Sequence, residues 1–154
     1  MRLGNRRGMT LVELVVAFTI MLILTTMAVP LARSKVRRER ERDLRYALRE
    51  LRTAIDKYKD NADAGYLGPI KLGTEGYPET LEVLVEGVKL QGPADKKMRF
   101  LRRIPRDPFT GKAEWGLRST QDDPKSQGWG AQNVFDVYSK TTERAPDGSP
   151  YAEW

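Results

Sequence analysis

From Met9 to Ala32 the chain carries a single charged side chain, Glu13, in a run of otherwise apolar and small residues. Nothing else in the sequence restricts its folding as strongly. A bilayer core of roughly 30 Å takes about 20 apolar residues in a helix, so this run is long enough to span. Arg2, Arg6 and Arg7 precede it, and Arg33, Lys35, Arg37 and Arg38 follow, so the cation balance does not settle its orientation. A cleaved secretory signal has a shorter apolar stretch of roughly 7–15 residues that ends on small residues. Met27-Ala28-Val29-Pro30 makes a poor cleavage site of that kind. A plain uncleaved anchor leaves Glu13 unexplained. A carboxylate inside a span costs roughly 2.5–3.5 kcal/mol on insertion scales and marks a function there.

The rest of the composition narrows the chemistry. Of the 154 residues none is cysteine and none is histidine. Disulfides, cysteine nucleophiles and Ser/His/Asp catalysis are therefore excluded, and the commonest transition-metal ligand is missing. A zinc site would have to be all-carboxylate, and no Gly-rich phosphate loop occurs. The pattern argues against an enzyme. The formal charge of +6 invites a nucleic-acid reading. Three of those charges sit on Arg2, Arg6 and Arg7, however, and the remainder suits a soluble domain with a mildly basic helix.

Beyond Pro30 the chain turns densely charged. Leu44, Ala47, Leu48, Leu51, Ala54, Ile55 and Tyr58 recur at helical spacing and form one apolar stripe. Before Leu44 almost no stripe exists, so that stretch reads as a solvated stem and not as a DNA-binding face. The helical reading runs from Met9 to Asp60, with Pro30 as an internal bend, and Gly65 and Gly68-Pro69 end it. Residues 65–154 hold eight of the nine prolines, which keeps their elements short. "ETLEVLVEGV" predicts a short helix with Leu81, Leu84 and Val85 inward. "MRFLRRIPRDPFTGKAEWGLRS" predicts a helical turn, a proline-defined turn and a strand around Ala113–Arg118. "NVFDVYSK" predicts a strand with Val134, Asp136 and Tyr138 opposite Phe135 and Val137. The fold class is α+β, a long N-terminal helix packed on a small antiparallel sheet.

"RRGMTLVELVVAF" resembles the class III signal of type IV pilins and type II secretion pseudopilins. In that family a basic leader ends in glycine, prepilin peptidase cuts after it, and the new terminal residue is N-methylated. The resemblance implies cleavage at Gly8, methylation of Met9 and an assembly role for Glu13, with Pro30 where relatives often have a helix-bending proline. Met9 stands where phenylalanine is usual, and Leu22 where many relatives have glycine. Glu13 then has a physical purpose. It can pair with the Met9 ammonium of a neighbouring subunit, so that both charges are satisfied away from water and subunit register is set, or with its own Met9 one turn away.

Further along, "YPETLEVLVEG", "FLRRIPRDPFTGKAEW" and "FDVYS" resemble segments of the major pseudopilin of type II secretion. The organisation this implies is a leader at 1–8, a transmembrane and filament-core helix at 9–32, an amphipathic stem at 33–64 and a periplasmic α+β region at 65–154. The subunit would span the bacterial inner membrane once, with its C-terminal region in the periplasm. It would form a homopolymer that pushes secreted protein cargo outward. Minor pseudopilins, prepilin peptidase and the inner-membrane assembly platform would be its further partners. The alternative is a type IV pilus or DNA-uptake pilin, whose C-terminal loop the family usually closes with a disulfide. Major pseudopilins also bind calcium in the loop after the last strand. Asp147 and the Ser139 region are the fair counterparts here, although the family's acidic pair is missing and Asp147-Gly148 is also ordinary turn chemistry.

Overall fold

A computed structural model describes residues 10–92 and 96–154, with the backbone alone for 27–32. The chain divides into two compact units, Met1–Glu39 and Arg40–Trp154. The first helix, α1 (Leu11–Asp63), supplies the described part of the first unit and the core face of the second. Its backbone is helical through Pro30.

In the first unit the large apolar side chains from Leu11 to Leu24 are exposed along the whole segment. Three threonines interrupt them, and none needs water. The hydroxyl of Thr19 donates to the Val15 carbonyl at 2.7 Å, Thr25 to Met21 at 2.7 Å and Thr26 to Leu22 at 2.8 Å. Bonding back one turn satisfies each hydroxyl on its own helix, which an apolar setting demands.

In the second unit the predicted stripe is the core. Leu44, Leu51 and Ile55 are fully buried, and Ala47, Leu48, Ala54 and Tyr58 nearly so. At the end of α1 the N–H of Gly65 bonds to Ala62 and that of Tyr66 to Asn61, each at 3.0 Å. Gly65 has φ of 72°. This is a Schellman closure, and it needs the left-handed residue that glycine supplies without a Cβ penalty.

Against the stripe pack short elements. Helix α2 (Leu81–Glu86) turns Leu81 and Leu84 inward, with Val85 half-buried beside the core. Two antiparallel pairs follow, so the expected α+β arrangement of a long helix on a small antiparallel sheet is met, with the strands in two pairs. Strands β1 (Val88–Lys89) and β2 (Lys97–Met98) pair antiparallel, and β3 (Trp115–Arg118) pairs antiparallel with β4 (Asp136–Ser139). The expected helical turn at Met98 is thus replaced. Lys97–Met98 is a strand because Leu90 and Lys96 close it onto β1, and the chain then anchors on α2 through Phe100 and Leu101 N–H bonds to the Leu84 carbonyl. Strand β3 begins at Trp115 and not at Ala113.

The β3–β4 register sets two faces. Trp115 and Val137 face the helix core, with Leu117 at its edge. On the other face Tyr138 lies opposite Gly116, where a Cβ would come 2.1 Å from the phenol ring. Both faces of β4 are therefore covered. Val137 and Tyr138 are both buried, because the segment between β3 and β4 covers the second side and takes the Tyr138 hydroxyl on the Gln127 carbonyl at 2.7 Å.

Candidate functional site

The N-terminal segment begins with a cap. Thr10 precedes α1, its carbonyl accepts the Leu14 N–H at 3.1 Å, and its hydroxyl oxygen accepts the Glu13 N–H at 3.3 Å. Thr10-x-x-Glu13 is the spacing of a capping box, and Glu13 falls in the first turn, where the helix dipole favours a carboxylate. The spacing is present in the sequence and serves helix initiation. Glu13 is exposed, and it is the one ionisable side chain among the described residues from Thr10 to Thr26. Gly8 and Met9 lie outside the described residues, as do the side chain of Pro30 and the Glu13–Met9 pairing.

In the second unit the residues at the end of the chain are held by a charged cluster that sequence reasoning did not find. Asp136 on β4 receives Arg52 of α1 (Nε to Oδ1, 2.7 Å) and Arg118 of β3 (Nη1 to Oδ2, 3.3 Å). Both arginines also reach the last segment. Arg52 donates to the Trp154 carbonyl at 2.8 Å and Arg118 to the Ala152 carbonyl at 3.2 Å. Arg118 is 5% exposed and its guanidinium stacks 4.2 Å from the Tyr138 ring centre. Nearby, Arg45 covers the Trp154 ring at 4.3 Å, and Tyr151 stacks on Phe109 with centroids 4.2 Å apart. The Tyr151 hydroxyl donates to Glu41 at 2.8 Å. Two arginines forked around one carboxylate fix three elements at once.

Asp107, in the Pro-Arg-Asp-Pro turn, is fully buried. Its Oδ1 accepts the N–H groups of Phe109 and Thr110, and its Oδ2 accepts the Ser139 hydroxyl at 2.5 Å. Ser139 is therefore engaged with the turn and not with Asp147. Asp147 lies exposed, and its Oδ1 accepts both the hydroxyl of Ser149 at 2.7 Å and its N–H at 2.9 Å. Those Ser149 bonds hold its carboxyl below the usual aspartate range. As arranged, Asp147 and Ser139 do not fit a calcium site, which needs about 6–8 oxygens. Among the described residues no group of three or more His, Cys, Asp or Glu side chains could hold a metal.

Comparison with known families adds one finding. Residues 3–29 match the prokaryotic N-terminal methylation motif. The match supports a pilin-like class III signal at the start of the chain. No curated protein and no solved structure matches the chain. Among the described residues no helix is long and apolar enough to cross a membrane. The described apolar part, from Leu11 to Thr26, is shorter than the roughly 20 residues a span takes.

Proposed function

We propose that the chain is a structural subunit of a pseudopilus, polymerised from the inner membrane to drive protein export by type II secretion. The observation that carries this reading is the helix that opens at the methylation motif. From Leu11 to Leu24 its apolar side chains find no cover among the described residues, with Leu11 at 79% and Leu22 at 71% exposure. A contiguous apolar surface of this extent marks an interaction site. Lipid covers it before assembly, and the helices of neighbouring subunits cover it afterwards. Prepilin peptidase removes residues 1–8, Met9 becomes the methylated terminus, and Glu13 meets that ammonium on an adjacent subunit. The pseudopilus branch, as against a surface or DNA-uptake pilus, is supported by the likeness of the Pro-Arg-Asp-Pro and Asp-Val-Tyr-Ser stretches to major pseudopilins. In support of it, the C-terminal region is closed by arginine–aspartate and aromatic contacts, without the disulfide usual in type IVa pilins. Minor pseudopilins, the assembly platform and secreted cargo are the partners this branch requires.

The test is intact-mass analysis of protein extracted from membranes that contain prepilin peptidase. The expected mass lacks Met1–Gly8 and carries one methyl group on Met9. An uncut N-terminus would overturn the pilin-like reading.

A further inference from the structure

Along its middle, α1 borders a groove of about 920 Å³ whose other wall is the segment 102–106, and a smaller recess of about 390 Å³ continues it towards Lys57. Arg102, Arg103 and Arg106 stand on the loop wall and Arg49 and Lys57 on the helix, all exposed. No carboxylate pairs with any of them among the described residues. Against these five cations the lining holds two carboxylates, Asp43 and Glu50, and Arg42 approaches Asp43 at 3.9 Å. At its Phe100 end the recess adjoins α2, because the Phe100 and Leu101 N–H groups bond to the Leu84 carbonyl. Glu82 and Glu86 of α2 have Lys89, Lys97 and Arg99 in the neighbouring segments, and Arg99 donates to the Glu86 carbonyl at 3.4 Å. That end is roughly balanced. The positive excess lies at the arginines of segment 102–106.

Two further features suit this groove to a peptide. The segment 102–106 belongs to no helix or strand, and its N–H groups at Arg102, Arg103, Ile104 and Arg106 make no hydrogen bond among the described residues. Of its carbonyls, that of Pro105 accepts the Trp115 indole N–H at 2.9 Å. On the helical wall stands Tyr46, 71% exposed. Tyrosine and arginine are the residues enriched where proteins meet, and tyrosine gives contact area with little side-chain entropy to lose.

We propose that this groove binds an extended acidic segment of a different protein. The arginines take its carboxylates by charge-assisted hydrogen bonds, and the open N–H groups of segment 102–106 take its backbone carbonyls. Tyr46 packs on the stems of its side chains. Nucleic acid fits less well, because it carries a charge at every phosphate. A strand laid along the groove would bring phosphates against Asp43 and Glu50, where a peptide can place uncharged side chains. The groove lies wholly within the second unit, so binding there does not depend on filament formation.

The test is fluorescence anisotropy with the full chain, purified in a nonionic detergent, and a labelled peptide of alternating glutamate and threonine. The parent should bind this peptide and not its counterpart with lysine for glutamate. Arg102→Ala with Arg103→Ala should weaken binding about tenfold or more, and Tyr46→Ala about threefold. Glu50→Gln removes an opposing charge and should tighten binding about twofold. Lys125→Ala with Lys140→Ala removes the same charge from exposed positions elsewhere in the second unit, and should leave affinity within about twofold. Melting temperatures within a few degrees of the parent confirm folding, and an arginine variant that fails this is replaced by Arg102→Gln with Arg103→Gln. No binding by the folded parent, unchanged affinity in the arginine pair, or equal losses in the arginine and lysine pairs would overturn the assignment. Tighter binding of a single-stranded DNA of equal charge, lost in the same arginine pair, would overturn it in favour of nucleic acid.

Discussion

Glu13 shows how much one side chain can be asked to do. Its N–H is held by the Thr10 hydroxyl, and its carboxylate sits at the positive end of the helix. Replacing it with leucine removes the cost of an acid in an apolar run, so membrane insertion should be equal or improved. Cleavage at Gly8 should survive, since the backbone there is unchanged. Assembly should collapse, because an ammonium stripped of its partner during docking costs roughly 3–5 kcal/mol. Sheared-fibre yield measures this, and a Glu13→Leu subunit that assembles like the parent would refute the register role. Asp147 is the opposite case, an acid whose local bonds already occupy it. The melting temperature of the intact protein should not change between calcium and a chelator, and Asp147→Ala should leave that indifference in place. A calcium-dependent rise that vanishes in Asp147→Ala would establish the site.

Among the elements, the β3–β4 pair depends on the residue without a side chain. Tyr138 occupies the space over Gly116, so Gly116→Ala must push the ring off Arg118 or spread the strands. Overpacking of this kind costs about 1–3 kcal/mol, which thermal or urea unfolding would register. The segment joining these strands is tied by Asp122, whose carboxylate accepts the N–H groups of Ser119 and Gly130. Those backbone bonds, that of Ser119 first, hold its carboxyl below the usual aspartate range. A depressed folded-state value means the bonds stabilise the protein fully above the ordinary aspartate range. That contribution is lost as pH falls through the folded value. The gap in melting temperature between parent and Asp122→Ala should therefore close under acid, and a gap constant with pH would show that Asp122 does not act as an ion.

At the scale of the molecule, the arginine–aspartate cluster decides whether the C-terminal segment stays on the helix. Asp136→Ala leaves Arg118 buried without its carboxylate while Arg52 regains water more easily, its side chain being 38% exposed. Removing one member of a buried pair costs about 3–5 kcal/mol, and the 25% exposure of Asp136 places this case at the low end. Hydrogen exchange should rise first in residues 145–154, where the two arginines hold the Ala152 and Trp154 carbonyls. A loss of stability spread evenly over the unit would mean that the cluster is not a local clamp.

The buried stripe of α1 and its stop at Gly65 were legible in the sequence because each is set by backbone geometry within a few residues. Apolar side chains at 3–4 spacing share a face, and a left-handed closure calls for glycine. The same locality made the methylation motif readable and excluded histidine and cysteine chemistry. It did not reveal that Asp136 belongs to Arg52, 84 residues away, or that Asp107 belongs to Ser139. Nor did it foresee Lys97–Met98 as a strand or the cover over Tyr138. Those outcomes depend on which distant groups must be satisfied once water is excluded, and only the packed tertiary structure decides that.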